Sequence, residues 1–183
     1  LLLAALFHDI GLMDVPPIQR AGIIQSTRDP RVRLEHPVRG MGIVRSLAGM
    51  PALAEVVALE HHRRWDNTGF PKLQRQAAMN LGSGIVALAS TYDRLLHQAD
   101  STPPERIPEH LVRLAGTEFE PRTVAHFLIG LGVYPVGTYV RLTSEELGMV
   151  VAANRRDVYR PTVKVLQNGD GTVVEEERVL DLT

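Results

Sequence analysis

Five side chains able to ligate a cation stand at three points in the N-terminal part of the chain: His8-Asp9, His36 and His61-His62. The sequence has no cysteine, so a transition metal held here must sit among imidazoles and carboxylates, and no disulfide framework exists. Adjacent histidines on a helix point about 100° apart, so His61 and His62 can reach different metals or different faces of one cluster. Asp9 is a carboxylate that can bridge. Two cations held close together in this way lower the pKa of a bound water and stabilise the oxygens of an in-line phosphoryl displacement. That chemistry favours a phosphodiester or phosphomonoester substrate, and Fe, Mn, Co or Zn all suit the donors. Any one of these histidines alone reads more simply as a helix-end cap or a hydrogen-bonded side chain. The weight lies in their combination.

The elements that must position them follow from periodicity. Leu1 to Phe7 is an apolar helical segment closing on His8-Asp9, and a helix opening at Pro51 carries Leu53, Val56 and Val57 to Glu60 and His61. Two ligand-bearing helix ends suit donors gathered at one mouth of a bundle. His36 precedes Pro37, which predicts a turn at that point. A further helix starts near Leu81, with Ile85, Leu88 and Tyr92 on one face and Val86, Ser90, Asp93 and His97 on the next. Helices over about 109–115 and 121–130 follow a proline-rich loop. After Gly132 the period changes to alternation. Strands are predicted at Tyr139–Leu142, Met149–Ala152 and Thr162–Val165, with Asn168-Gly169-Asp170-Gly171 as a hairpin turn before Val173. The expected architecture is mainly α, a helical domain over 1–132 followed by a small β meander or barrel over 133–183 that packs on it.

Composition narrows the class. Hydrophobic residues at 44% and charged residues at 22% exclude a disordered chain. Twenty Lys+Arg against twenty-one Asp+Glu leave a net charge of −1, which gives no positive field for a nucleic-acid polymer. The apolar run Leu1–Phe7 is far shorter than the ~20 residues needed to span a membrane. A first residue of Leu rather than Met reads as a fragment, with a regulatory domain expected upstream, and the lack of cysteine suits the cytoplasm.

Taken in order, His8-Asp9-Ile10-Gly11, His36-Pro37 and His61-His62-Arg63-Arg64-Trp65-Asp66-Asn67-Thr68-Gly69-Phe70-Pro71 resemble the HD-GYP family, a branch of the HD-domain phosphohydrolases. The similarity continues through Ala87–Asp93, Ala115–Pro121 and Gly132–Gly137. The resemblance implies an HD-type helical bundle, a metal-dependent phosphodiesterase that cleaves cyclic di-GMP to the linear dinucleotide or GMP. It implies two divalent metals, Fe or Mn, on His8, Asp9 (as the bridge), His36, His61 and His62, with His8 and Asp9 central to catalysis. Arg63, Arg64, Trp65 and the Gly69-Phe70-Pro71 loop would face the substrate, although Trp65 taken alone reads first as core. The loop is also where diguanylate cyclase (GGDEF) domains would dock.

Departures from the family fall within the matching segments. Ser90 stands where the family has a metal-binding Asp, and the nearest carboxylate, Asp93, is about 4.5 Å further along a helix. That weakens the second metal subsite. Leu12 replaces a Lys, His97–Thr102 replaces an Arg-Pro-Tyr-Arg segment, and Phe70 replaces a Tyr. Two competing readings follow: a catalytically degenerate module that binds cyclic di-GMP or a protein partner, and a phosphohydrolase for another nucleotide. Arg28, Arg31, Arg33, Arg39 and Arg45, which flank His36, read most simply as a solvated face.

Overall fold

The structure is a computed structural model that describes residues 1–13, 30–73, 78–97 and 103–182. In chain order it contains α1 (Leu2–Leu6), a 3₁₀ turn at Ile10–Leu12, α2 (Pro30–Ser46), α3 (Ala52–Glu60) and α4 (Leu81–His97). A second 3₁₀ turn at Pro104–Arg106 leads into α5 (Ile107–Leu114), followed by α6 (Pro121–Leu131). Strands β1 (Tyr139–Arg141), β2 (Leu147–Ala152), β3 (Thr162–Gln167) and β4 (Val173–Asp181) complete the chain. The chain is thus mainly helical with a C-terminal antiparallel sheet, and among the described residues no helix is long and apolar enough to cross a membrane. The chain forms two compact units: Leu1–Asp93 with Leu114–Glu120, and Arg94–Arg113 with Pro121–Thr183.

The first unit is built on small side chains. Ala4, Val44, Ala54, Val57, Ala58 and Val86 form its buried cluster, with Phe7, Ile10 and Leu53 packed against it. Alanine and valine keep α1, α2 and α3 close, because little side-chain volume separates their backbones. The 3₁₀ turn and α2 approach closely. A Cβ at Gly11 would overlap the His36 carbonyl oxygen and lie 2.8 Å from the Gly40 amide nitrogen, so only glycine fits there. This pair of glycines lets His8-Asp9 ride directly on the helix that carries His36.

Pro37 does not make a turn. It lies inside α2, which runs without a break from Pro30 to Ser46, and it is fully buried. Proline removes one helical hydrogen bond, the one its amide would give to the Arg33 carbonyl. Here His36 Nδ1 donates to that oxygen instead at 2.8 Å, and burial of His36 and Pro37 holds the helix through the gap.

In the second unit, Ile107 and Leu111 of α5, Val124 of α6 and the sheet residues Val150, Val163 and Val165 are buried. The strands follow one another as an antiparallel meander, β1-β2-β3-β4, with Val150 opposite Val163. Along β3 the buried Val163 and Val165 alternate with Lys164, the period-two pattern of a sheet with one packed face. The β3–β4 turn is closed by Asn168 and Thr172, whose backbone N–H···O bond is 2.8 Å, with Gly171 at φ 85°. Glu175, Glu176 and Glu177 lie exposed on the edge strand β4, where charge discourages further pairing.

Candidate metal centre

Three histidines present the same nitrogen to one carboxylate. His8 Nδ1 donates to the Ala5 carbonyl at 2.7 Å, His36 Nδ1 to Arg33 at 2.8 Å, and His61 Nδ1 to Ala58 at 3.0 Å. A carbonyl oxygen only accepts, so each Nδ1 carries the hydrogen and each Nε2 of the neutral ring is a lone pair. Those Nε2 atoms converge on Asp9: His8 at 3.2 Å from Oδ2, His36 at 3.3 Å and His61 at 3.1 Å from Oδ1. His61 lies at the C-terminal cap of α3, and His8-Asp9 follows directly after α1, so two helix ends and the middle of α2 supply the donors. His62 joins the group. One ligand atom each from Asp9, His36, His61 and His62 lie within 4.8 Å of one another. His8 is bonded to Asp9 but stands outside that mutual group; its ring meets His61 edge-on at 5.1 Å.

This donor set fits a divalent cation. The Nε2 atoms of His36 and His61 are 3.1 Å apart, and with both Nδ1 positions protonated two lone pairs face each other beside a carboxylate. Only a positive charge between them turns that arrangement into an attractive one, and imidazole with carboxylate is the donor chemistry of Fe, Mn, Co and Zn. The backbone carbonyls that fix the rings are the outer-shell partners expected of metal-ligating histidines.

Electrostatics agree with the geometry. Burial pushes His62 down, and the neighbouring His61 and His36 add to this, so its pKa falls to about 2 and the ring is neutral. Burial works to raise the Asp9 carboxyl, but the Nε2–H groups that His36, His61 and His8 present when their rings are protonated outweigh it and hold the group well below the usual carboxylate range. For His8, burial works downward and the Asp9 bond and charge outweigh it, so its pKa is raised.

The segment after His62 folds back over the cluster. Gly69 allows it: a Cβ there would overlap the His62 carbonyl oxygen and lie 2.7 Å from the Arg64 nitrogen. The Phe70 amide donates to that same carbonyl at 3.1 Å, and the Phe70 ring stacks on His62 with centroids 4.7 Å apart. Arg33 lies over the Phe70 ring, its guanidinium carbon 5.6 Å from the centroid. The Phe70-Pro71 peptide is cis. The loop is tied to the turn between α5 and α6 by Trp65 N–H to Glu118 O at 3.0 Å and Asp66 N–H to Thr117 O at 2.9 Å.

The arginines of this segment differ. Arg63 is buried, and its guanidinium donates to Glu60 at 2.7 Å. The other Glu60 oxygen accepts from the Asn80 amide at 3.0 Å and the Ser83 hydroxyl at 3.1 Å, so Glu60 links α3 to the start of α4. Arg64 is half-exposed and paired with Glu118 at 2.7 Å. Trp65, read first as core, is 43% exposed. Arg63, Arg64, Asn67, Gly69, Pro71 and Lys72 line a small cavity of about 130 Å³.

Ser90 and Asp93 are both exposed on α4 and lie outside the Asp9, His36, His61 and His62 group. Leu12 is buried in its 3₁₀ turn. Residues 98–102 and Arg28 lie outside the described residues, as does the side chain of Arg31. Arg39 pairs with Glu35 and Arg45 with Glu55. Sequence reasoning missed Gly40, Glu60 and the part Pro37 plays. A glycine four residues after His36 was the visible signal for Gly40, and an acidic residue at a buried helical position was the signal for Glu60.

Comparison with known proteins gives the family of the chain. The chain is 32% identical to a cyclic di-GMP phosphodiesterase of Pseudomonas aeruginosa, over 98% of this chain and 44% of that protein. It is 28% identical to a cyclic di-GMP phosphodiesterase of Thermotoga maritima over 68% of this chain and 35% of the relative. It is 27% identical to a 3'3'-cGAMP-specific phosphodiesterase of Vibrio cholerae over 66% of this chain and 24% of the relative. The chain therefore spans less than half the length of these relatives. The HD domain model matches residues 1–116, which hold every donor of the cluster, and the chain belongs to the HD domain family.

Proposed function

We propose that this chain is the HD-GYP-type output domain of a signalling protein and hydrolyses cyclic di-GMP, to the linear dinucleotide or to GMP, with divalent metal. The observation that carries the reading is the convergence of three Nε2 atoms on the Asp9 carboxylate, each ring held by a backbone carbonyl. Asp9, His36, His61 and His62 would hold the metal, Fe or Mn, with His8 beside them and Asp9 as the bridge where two ions bind. The bound metal supplies Lewis acidity toward a phosphoryl oxygen and activation of water. The chain's own residues do the rest. His8 in its protonated form donates Nε2–H to the second oxygen of Asp9, the neutral His62 keeps its lone pair for coordination, and Phe70 covers the His62 face and shields it from solvent. The names of the relatives support cyclic di-GMP as substrate. The Gly69-Phe70-Pro71 loop is the surface for a GGDEF partner, and a cytoplasmic setting with an upstream regulatory domain belongs to the same reading.

Leu12 favours a second reading, a module that binds cyclic di-GMP without turnover. It is buried where the family carries a lysine, so no cation reaches the substrate from that turn. One experiment separates the two. The full-length protein is incubated anaerobically with Fe(II) or Mn(II) and cyclic di-GMP or 3'3'-cGAMP, and products are separated by chromatography. Linear product from cyclic di-GMP that disappears in Asp9→Ala is expected. Binding without product in the metal-loaded protein would establish the second reading, and product from 3'3'-cGAMP alone would change the substrate.

A further inference from the structure

We infer that Pro37 is a positioning residue for the metal centre: its missing N–H leaves the Arg33 carbonyl to His36 and so fixes which nitrogen of His36 faces Asp9. The inference rests on reading the cluster as a metal site.

The last four carbonyls of a helix have no partner within it. His8 and His61 take advantage of this, one donating to Ala5 in the last turn of α1 and the other to Ala58 in the last turn of α3. His36 stands in the middle of α2, where every carbonyl normally receives the amide four residues on. For Arg33 that amide belongs to residue 37, and proline has none. The His36 Nδ1–H fills the vacancy at 2.8 Å, and Nε2 is left to face Asp9 at 3.3 Å and His61 at 3.1 Å. The opposite tautomer would place a hydrogen on Nε2, give Asp9 an ordinary hydrogen bond, and remove the lone pair a metal needs. A proline inside a helix, a defect by propensity, thus creates mid-helix the unpaired carbonyl that the other two histidines find at helix ends.

The test uses Pro37→Ala in the full-length protein, which restores an N–H that competes for Arg33. A second protein carries lactic acid at position 37, an ester that has the alanine side chain but no N–H. The readouts are Mn(II) affinity and the nitrogen signals of ¹⁵N-labelled His36 in the metal-free state. We expect Pro37→Ala to lose about tenfold or more in Mn(II) affinity, the size of effect typical for outer-shell partners. Its His36 signals should shift toward the Nε2–H form, while its melting temperature is held or raised. The ester should restore both affinity and signals. Unchanged affinity and signals in Pro37→Ala, or an ester that behaves like alanine, would overturn the assignment. So would a wild-type protein whose His36 Nδ1 is unprotonated, a measurement that needs no variant to fold. None of these readouts uses phosphodiesterase activity, so a protein that binds Mn(II) as described and hydrolyses nothing sinks the proposed function alone.

Discussion

His36 Nε2 and His61 Nε2 lie 3.1 Å apart, and each ring's other nitrogen is already committed to a backbone carbonyl of its own helix. Two lone pairs held face to face against a carboxylate constitute a site whose repulsion a cation relieves. A ligand that binds only the folded state stabilises it by about 2.7 kcal/mol at a hundredfold excess over its dissociation constant. Mn(II) at such a concentration should therefore raise the melting temperature by several degrees, and His61→Ala should abolish the increase. An equal increase in wild type and His61→Ala would place the ion elsewhere.

Acid should weaken the protein through His62. Its folded pKa is depressed to about 2 from an ordinary 6.5. Between those values the unfolded chain binds a proton that the folded chain refuses, so stability falls as pH falls below 6.5, at a limiting slope of about 1.4 kcal/mol per pH unit. Asp9, also depressed, acts in the same direction: its contribution is present above its ordinary 3.8 and lost as pH falls below it. His8 has the opposite sign, because its raised pKa gives stability that is full below 6.5 and lost as pH rises through the folded value. The difference between wild type and His62→Gln isolates the first of these. Urea unfolding of the metal-free proteins at about pH 7 and about pH 5.5 should show the smaller loss in His62→Gln. Equal losses in the two proteins count against a neutral, half-buried His62.

Arg63 and Arg64 are adjacent in sequence, yet their substitutions should be read by different assays. Arg63→Ala strands the buried Glu60 carboxylate, and breaking a buried pair costs about 3–5 kcal/mol, visible as a large drop in melting temperature. Arg64→Ala removes a half-exposed pair with Glu118, and exposed pairs contribute at most about 1 kcal/mol. Any effect of Arg64→Ala should therefore appear in the KM for a phosphodiester rather than in stability. A stable Arg63→Ala with raised KM would return Arg63 to the substrate side.

Much of this was legible in the chain, for reasons that can be named. The ligand residues stood out because imidazole and carboxylate at apolar helix ends are uncommon, and the strands because alternation such as Val163-Lys164-Val165 has a period no helix shares. Pro37 was misread because the local rule against helical proline gave way to a compensating His36 bond that sequence does not display. Trp65 was misplaced for a related reason: its backbone is pinned by Glu118, from a turn more than fifty residues away, and this leaves the indole outside. Gly40 shows in sequence only as a glycine four residues after His36, and the reason for it is set by what approaches, here Gly11.

That contact gives a sharp comparison of two glycine substitutions. Gly11→Ala drives a Cβ into the His36 carbonyl, backbone against backbone, where neither side can yield cheaply. Overpacking of this kind costs about 1–3 kcal/mol or more, and separating the 3₁₀ turn from α2 also pulls Asp9 from His36, so Mn(II) affinity should fall with stability. A Cβ at Gly42, two residues further along α2 than Gly40, meets nothing within 4 Å. Gly42→Ala should gain up to about 1 kcal/mol of helix propensity with metal affinity unchanged. Thermal melts and Mn(II) titrations of the pair check both, and similar behaviour of the two variants would remove Gly11 from the site's support.

We predict that Ser90 limits the number of ions held by the proposed site. A hydroxyl is a poor ligand, Asp93 is about 4.5 Å further along the helix, and metal–oxygen bonds of roughly 2 Å tolerate little misplacement. Wild type should therefore bind one Mn(II) per chain at ordinary concentrations, while Ser90→Asp, which places a carboxylate at the family's position on α4, should bind two. Because Ser90 is exposed, the added charge carries little burial cost, and Ser90→Asn should leave the count at one. Equilibrium dialysis with metal analysis gives the stoichiometry directly. Two ions already bound in wild type would mean that the second subsite is completed without a carboxylate at 90, and the departure at Ser90 would then carry no argument for a degenerate module.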